Sequence, residues 1–232
     1  MYFDYYYVIL VLPAVLLSLW AQIKVSLTFN RYSKIQSQRG MSGEQAAETL
    51  LRLNHIGNVS IEGVGGKLTD HYDPSSKVLR LSEPVYRRTS IAAIGVAAHE
   101  TGHAIQDAQK YGPLVLRSAL VPAANIGSQA GPILVIIGIF ASISLLTKVG
   151  IILFAAAVLF YFVTLPVEID ASRRALAILR SSGALNQDEL KGVRKVLTAA
   201  ALTYVASAIL ALANLVRLVL IARGRQRRRS SW

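Results

Sequence analysis

The chain has 232 residues, 53% of them hydrophobic, with a mean hydropathy of +0.44 and a formal charge of +12. That composition excludes an average soluble domain of this size and makes the bilayer the first solvent to consider. The absence of cysteine excludes disulfides and thiolate metal sites together, so a transition-metal site has only His, Glu and Asp to draw on.

The first element is an apolar run from about Tyr7 to Val25, close to the roughly 20 residues that cross a hydrocarbon core of about 30 Å. Tyr2, Tyr5, Tyr6, Tyr7 and Trp20 bracket it as an interfacial aromatic belt does. No basic residue precedes the run, it is longer than a signal peptide requires, and no A-x-A-like site follows. Residues 1–25 therefore read as a retained membrane anchor.

Residues 26–118 form the largest polar stretch. Ser42 with Gln45 three residues on has capping-box spacing, and Ala46, Ala47, Leu50, Leu51 and Leu53 supply one buried stripe of a helix that Gly57 ends. VSIEGV, KLTDHY and KVLRLS then read as short strands, the last two joined into a β-hairpin by the turn DPSSK. Thr89 or Ser90 caps the next helix, IAAIGVAAHETGHAIQDAQ. It is apolar almost all round before His99, as a helix wrapped by protein is.

That helix carries HETGH, residues 99 to 103. A spacing of four stacks His99 and His103 on one face, where two imidazole nitrogens can reach one ion at about 2.0 to 2.1 Å. Glu100 lies one residue round, near the ion without being forced to ligate it, and there it can take a proton from an activated water. Two buried core histidines are the bland alternative. An unpartnered imidazole is costly on so apolar a helix, whereas one ion satisfies both. A catalytic zinc keeps three protein ligands and one open position, so a third must come from elsewhere.

Two more spans follow, Ala119–Leu146 and Val149–Val167, separated by Thr147, Lys148 and a turn, so residues 119–167 form a tight transmembrane hairpin. Gly127 and Gly131 give a small-xxx-small spacing for close helix contact. The hairpin returns the chain to the membrane face of the His99 helix, and in TLPVEIDASRRA the first carboxylate to emerge is Glu168, with Asp170 two residues later. Glu168 is the preferred third ligand because a glutamate downstream of H-E-x-x-H is the common arrangement; Asp170 then acts behind the ligands, and a solvated flank or a partner for Arg173 is the alternative. Residues 168–195 read as the third-ligand helix and connector, Val196–Ala222 as a fourth span and 223–232 as a disordered basic tail.

The runs KLTDHYDPSSKVLRLSEPVY, SIAAIGVAAHETGHAIQ and PVEIDASRRA resemble the YugP-type family of bacterial membrane zinc metallopeptidases over nearly the whole chain. The resemblance implies a gluzincin-like site with Zn2+ as cofactor, His99, His103 and Glu168 as ligands, and Glu100 as catalytic base. Membrane gluzincins of the HtpX and CAAX-protease kind are similar in placing the third-ligand glutamate after a transmembrane hairpin. Many gluzincins have an aspartate four residues beyond that glutamate to orient a ligand histidine; here Ser172 occupies the position, which leaves Asp170 or Asp107 as substitutes. His71 in the hairpin is a candidate for substrate or oxyanion contact, as are Tyr72, Tyr86, Arg173 and Arg174. An edge of the strand pair offers β-augmentation to an extended peptide.

The fold class expected is a mainly α membrane protein of about four transmembrane helices with a small α+β zincin-like catalytic domain. The function expected is a multi-pass membrane zinc endopeptidase acting on a peptide or membrane-protein substrate. Its rivals are a zinc hydrolase of lipid amides or esters, an inactive zinc-containing scaffold, and a transporter, for which the spans carry no charge except Lys24 and Arg217, each near a span end. Most of the +12 charge lies beside the spans without interleaved aromatics, so the partner is the lipid bilayer and not nucleic acid. Lys24, Arg31, Lys34, Arg39, Lys110, Arg117, Arg173, Arg174, Arg180, Lys191, Arg194 and Lys195 outnumber Lys148, Arg217 and the five tail arginines, which points to a cytoplasmic catalytic domain.

Overall fold

A computed structural model describes residues 4–229 of the chain, with side chains through residue 224; Tyr2 and Trp232 lie outside the described residues. The elements follow in the order α1 (Leu12–Tyr32, led in by a π-helical turn Tyr7–Val11), α2 (Gly43–Leu53), β1 (Ser60–Val64), β2 (His71–Asp73), β3 (Val78–Ser82), α3 (Glu83–Tyr86), α4 (Ile91–Ala108), α5 (Gly112–Phe140), α6 (Ser144–Ser181) and α7 (Gln187–Arg229). Among the described residues, four helices are long and apolar enough to cross a membrane: Tyr7–Tyr32, α5, α6 and the part of α7 from Gln187 to Gly224. The protein is mainly α, with four membrane-spanning candidates and one small sheet, as its composition requires.

The chain divides into two compact units. One comprises the described residues of Met1–Ala21, Leu116–Leu165 and Thr203–Trp232. Here α5 and α6 touch through glycines: a Cβ on Gly127 would lie 2.0 Å from the Leu153 carbonyl oxygen, and one on Gly131 2.8 Å from Phe154 Cβ. Without a hydrophobic drive between helices in lipid, such backbone proximity supplies the dispersion contact that holds a pair together. Val135, Phe154, Ala157, Val158, Ala211 and Leu218 form this unit's core.

The turn of the hairpin falls at residues 141–143, and Thr147 and Lys148 belong to the first turn of α6 instead. Ser142 takes a left-handed φ of +64°, Ile143 N donates to Gly138 O at 2.9 Å, and Gly138 has no Cβ to strike Thr147 N. Hydrophobicity alone could not see this turn, because Ala141 and Ile143 are as apolar as the helices they join.

The second unit comprises Gln22–Val115 and Pro166–Leu202 and holds the sheet. Strand order is β1-β3-β2, with β3 parallel to β1 (Ser60 opposite Val78) and antiparallel to β2 (Tyr72 opposite Leu79). The hairpin joins β2 to β3 as its turn residues require: Asp73 accepts from Ser76 Oγ at 2.7 Å and Ser75 N at 2.9 Å, which brings its pKa down to about 2. β2 is shorter than the KLTDHY run, since Gly66 and Leu68 adopt φ of +100° and +59° and break the pleat ahead of it. Ser42 and Gln45 complete both halves of the capping box of α2, and Ser90, not Thr89, caps α4.

The third-ligand segment is not a separate helix. α6 continues through Pro166, although a proline inside a helix forfeits one backbone hydrogen bond. Val167, Ala171, Ala175 and Leu179, four residues apart and each 0% exposed, form one buried stripe. Packing along that stripe outweighs the local break signal. Residues 187–195 likewise are the first turns of α7: Asn186 Oδ1 accepts from the Asp188 and Glu189 amides at 2.9 Å, and Leu190, Val193, Val196 and Leu197 enter the core with Ile94 and Leu179. α7 then runs helical to Arg229, where a disordered tail from residue 223 was expected.

Candidate active site

The site is built where α4 meets the Pro166–Ser181 part of α6. Gly102, the fourth residue of HETGH, permits the approach: a Cβ there would lie 2.5 Å from the Ala171 carbonyl oxygen. Helices this close place residues one turn away on either side in mutual reach. His99 and His103 project from successive turns of α4, their rings 4.8 Å apart and edge to face at 80°. Glu168, 2% exposed, reaches both: its Oε2 lies 3.1 Å from His99 Nε2 and 3.5 Å from His103 Nε2.

These separations test whether an ion fits. Two ligand atoms about 2.0 to 2.1 Å from a tetrahedral ion stand about 3.3 Å apart, which the two observed values bracket. One ligand atom from each of the three residues lies within 4.8 Å of the others. Two imidazoles and one carboxylate make three protein donors, the number a catalytic zinc uses. Burial alone pushes His103 toward its neutral form. The Glu168 carboxylate, the Glu100 charge and Gln106 outweigh it and raise its pKa above the ordinary histidine value. A cation at Nε2 must displace that proton, so metal affinity falls with falling pH.

The far nitrogens of both rings are also held. His99 Nδ1 lies 3.0 Å from Ser172 Oγ, and His103 Nδ1 lies 3.0 Å from Gln106 Oε1. The Gln106 amide donates to Val167 O and to Asp170 Oδ2, both at 2.8 Å, and Arg174 Nε donates to Asp170 Oδ2 at 2.5 Å. Gln106, 0% exposed, was not among the residues the sequence singled out. Its place three residues after His103, on the same helix face, was the available signal. Ser172 occupies the position at which an aspartate was looked for, and its hydroxyl meets His99 directly. Glu100 is half-buried beside the histidines and makes no hydrogen bond among the described residues.

Other sequence candidates lie apart from this cluster. Asp107 accepts from Tyr72 OH at 2.7 Å and pairs with Lys77 at 2.5 Å, tying the hairpin to the end of α4 and not orienting either histidine. Burial and that bond raise the Tyr72 pKa. His71 is exposed, with Nδ1 2.8 Å from Thr69 O and Nε2 facing Arg80. Arg173 is exposed, and it is Arg174 that engages Asp170 and stacks 5.5 Å over the Tyr111 ring. Tyr86 donates to Glu44 at 2.6 Å.

Comparison with known proteins bears on the family and its metal. A family described as "Putative neutral zinc metallopeptidase" matches residues 7–223. A relative from Bacillus subtilis (strain 168), "Putative membrane protease YugP", is 48% identical over 215 residues, which cover 93% of this chain and 96% of the relative. No solved structure matches the chain. Zinc is the metal the family implies, and the chain belongs to this family of neutral zinc metallopeptidases.

Proposed function

We propose that the protein is a membrane-embedded zinc endopeptidase in which His99, His103 and Glu168 hold the ion and Glu100 is the general base. The observation that carries this reading is the approach of Glu168 Oε2 to both imidazole Nε2 atoms, at 3.1 and 3.5 Å, with the Glu100 carboxylate beside them. Bound Zn2+ supplies Lewis acidity for the scissile carbonyl and a lowered pKa for water. Glu100 accepts the proton of the attacking water and returns it to the leaving amine nitrogen, so no covalent acyl-enzyme forms.

The surrounding residues prepare the ligands. Val167 O is only an acceptor, so the Gln106 NH2 must face it; Gln106 Oε1 then faces His103, and His103 Nδ1–H must donate to it. That fixes the tautomer with the Nε2 lone pair aimed at the ion. Ser172 Oγ can accept from His99 Nδ1–H in the same sense. Replacing Gln106 by Leu is expected to weaken zinc binding about 10- to 100-fold, read by chelator competition, with the purified protein still folded.

The reading is tested by incubating purified full-length protein in lipid with a mixture of peptides, lipid amides and esters. Newly formed peptide amino termini are the expected product. Release of fatty acids with intact peptides assigns the site to a lipid hydrolase instead. A cytoplasmic catalytic unit is part of the proposal and rests on the excess of basic residues near that face of the spans.

A further inference from the structure

In the membrane unit, the α5–α6 turn and α7 around Val219–Arg223 line a half-open cavity of about 460 Å³. Ile139, Ile151 and Val219 line it, together with Thr147 and the cations Lys148 and Arg223. The sequence contains no Asp or Glu from Gly112 to Val167, and none after Val196. The one acid in the described part of this unit, Asp4, accepts from Arg217 Nε at 2.7 Å, and that guanidinium also lies 5.3 Å over the Tyr7 ring. Lys148 and Arg223 therefore have no carboxylate partner among the described residues. Two like charges at the ends of apolar helices raise each other's cost, and that cost is relieved by an anion supplied from outside the chain.

The cavity's chemistry limits what the anion is. Its apolar wall suits hydrocarbon, and its two cations and the Thr147 hydroxyl suit a phosphate, so the occupant is an amphiphile. A zwitterionic headgroup would bring an ammonium next to two cations with no carboxylate to receive it. We infer that this cavity binds one anionic phospholipid, with Lys148 and Arg223 on its phosphate and the acyl chain along Ile139, Ile151 and Val219. The site stands apart from the proposed zinc chemistry and does not depend on it.

Native mass spectrometry of the full chain, with phosphatidylglycerol or phosphatidylcholine added in neutral detergent, tests the inference. One phosphatidylglycerol per chain is expected to survive activation that strips phosphatidylcholine. Lys148→Ala should weaken that binding about 5-fold and Lys148→Ala with Arg223→Ala about 25-fold, at about one such factor per cation. Lys148→Arg with Arg223→Lys should stay within about 2-fold of wild type, and replacing Arg225, Arg227, Arg228 and Arg229 by Ala should leave the tight lipid in place. Equal retention of both lipids by wild type overturns the site. So does unchanged phosphatidylglycerol binding in the double alanine variant, loss of the lipid in the tail variant alone, or displacement of the lipid by inorganic phosphate at equal concentration.

Discussion

Replacing Glu100 by Gln is expected to leave one Zn2+ per chain and to lower peptide cleavage about 100- to 10,000-fold, the usual contribution of a positioned general base. The substitution keeps the shape and length of the side chain and removes its ability to take a proton. It breaks no hydrogen bond among the described residues and removes only the charge that Glu100 sets beside His103. Metal content is read by elemental analysis and cleavage by product chromatography, on wild type and variant in the same lipid. Activity within a few-fold of wild type, with zinc fully bound, removes Glu100 from the mechanism.

Replacing Glu168 by Ala removes the carboxylate on which both imidazoles converge, the proposed third ligand, and zinc affinity is expected to fall by more than about 100-fold. A group that merely supports the ligands costs about 10- to 100-fold, which sets the floor for the loss of a ligand itself. Asp170→Asn is the informative comparison. The Asp170 carboxylate is committed to Gln106 and Arg174, so this variant should fall within the supporting range. Equal losses in the two variants mean that Glu168 does not ligate, and a larger loss at Asp170 transfers the ligand role to it.

The pattern H-E-x-x-H, the capping residues of α2, the α4 cap to within one residue, the hairpin turn at Asp73 and the four apolar spans are local signals, and each is legible in the sequence. Residues that act through distant partners were not. Nothing near Gln106 in sequence says that its amide meets Val167 O, 61 residues away. Asp107 looks equally suited to serve a histidine until Tyr72 and Lys77 are seen to claim it. The helices also run past the apolar spans for a related reason. Hydropathy reports where lipid ends, whereas α6 and α7 are extended by protein packing at Val167, Ala171, Val193 and Leu197. The parallel pairing of β1 with β3 rests on a connection that passes through β2, which no strand propensity encodes.

The main-chain contact at Gly102 narrows what the motif can tolerate. Thr101 points into its own helix, donating to Ala97 O at 2.8 Å, and a residue of similar size could replace it. Position 102 has no such latitude, because any side chain there enters the space of the Ala171 carbonyl. A pattern search that leaves both middle letters open will therefore collect chains unable to adopt this geometry. A bulky residue at that letter would push the Pro166–Ser181 part of α6, and Glu168 with it, away from the two histidines.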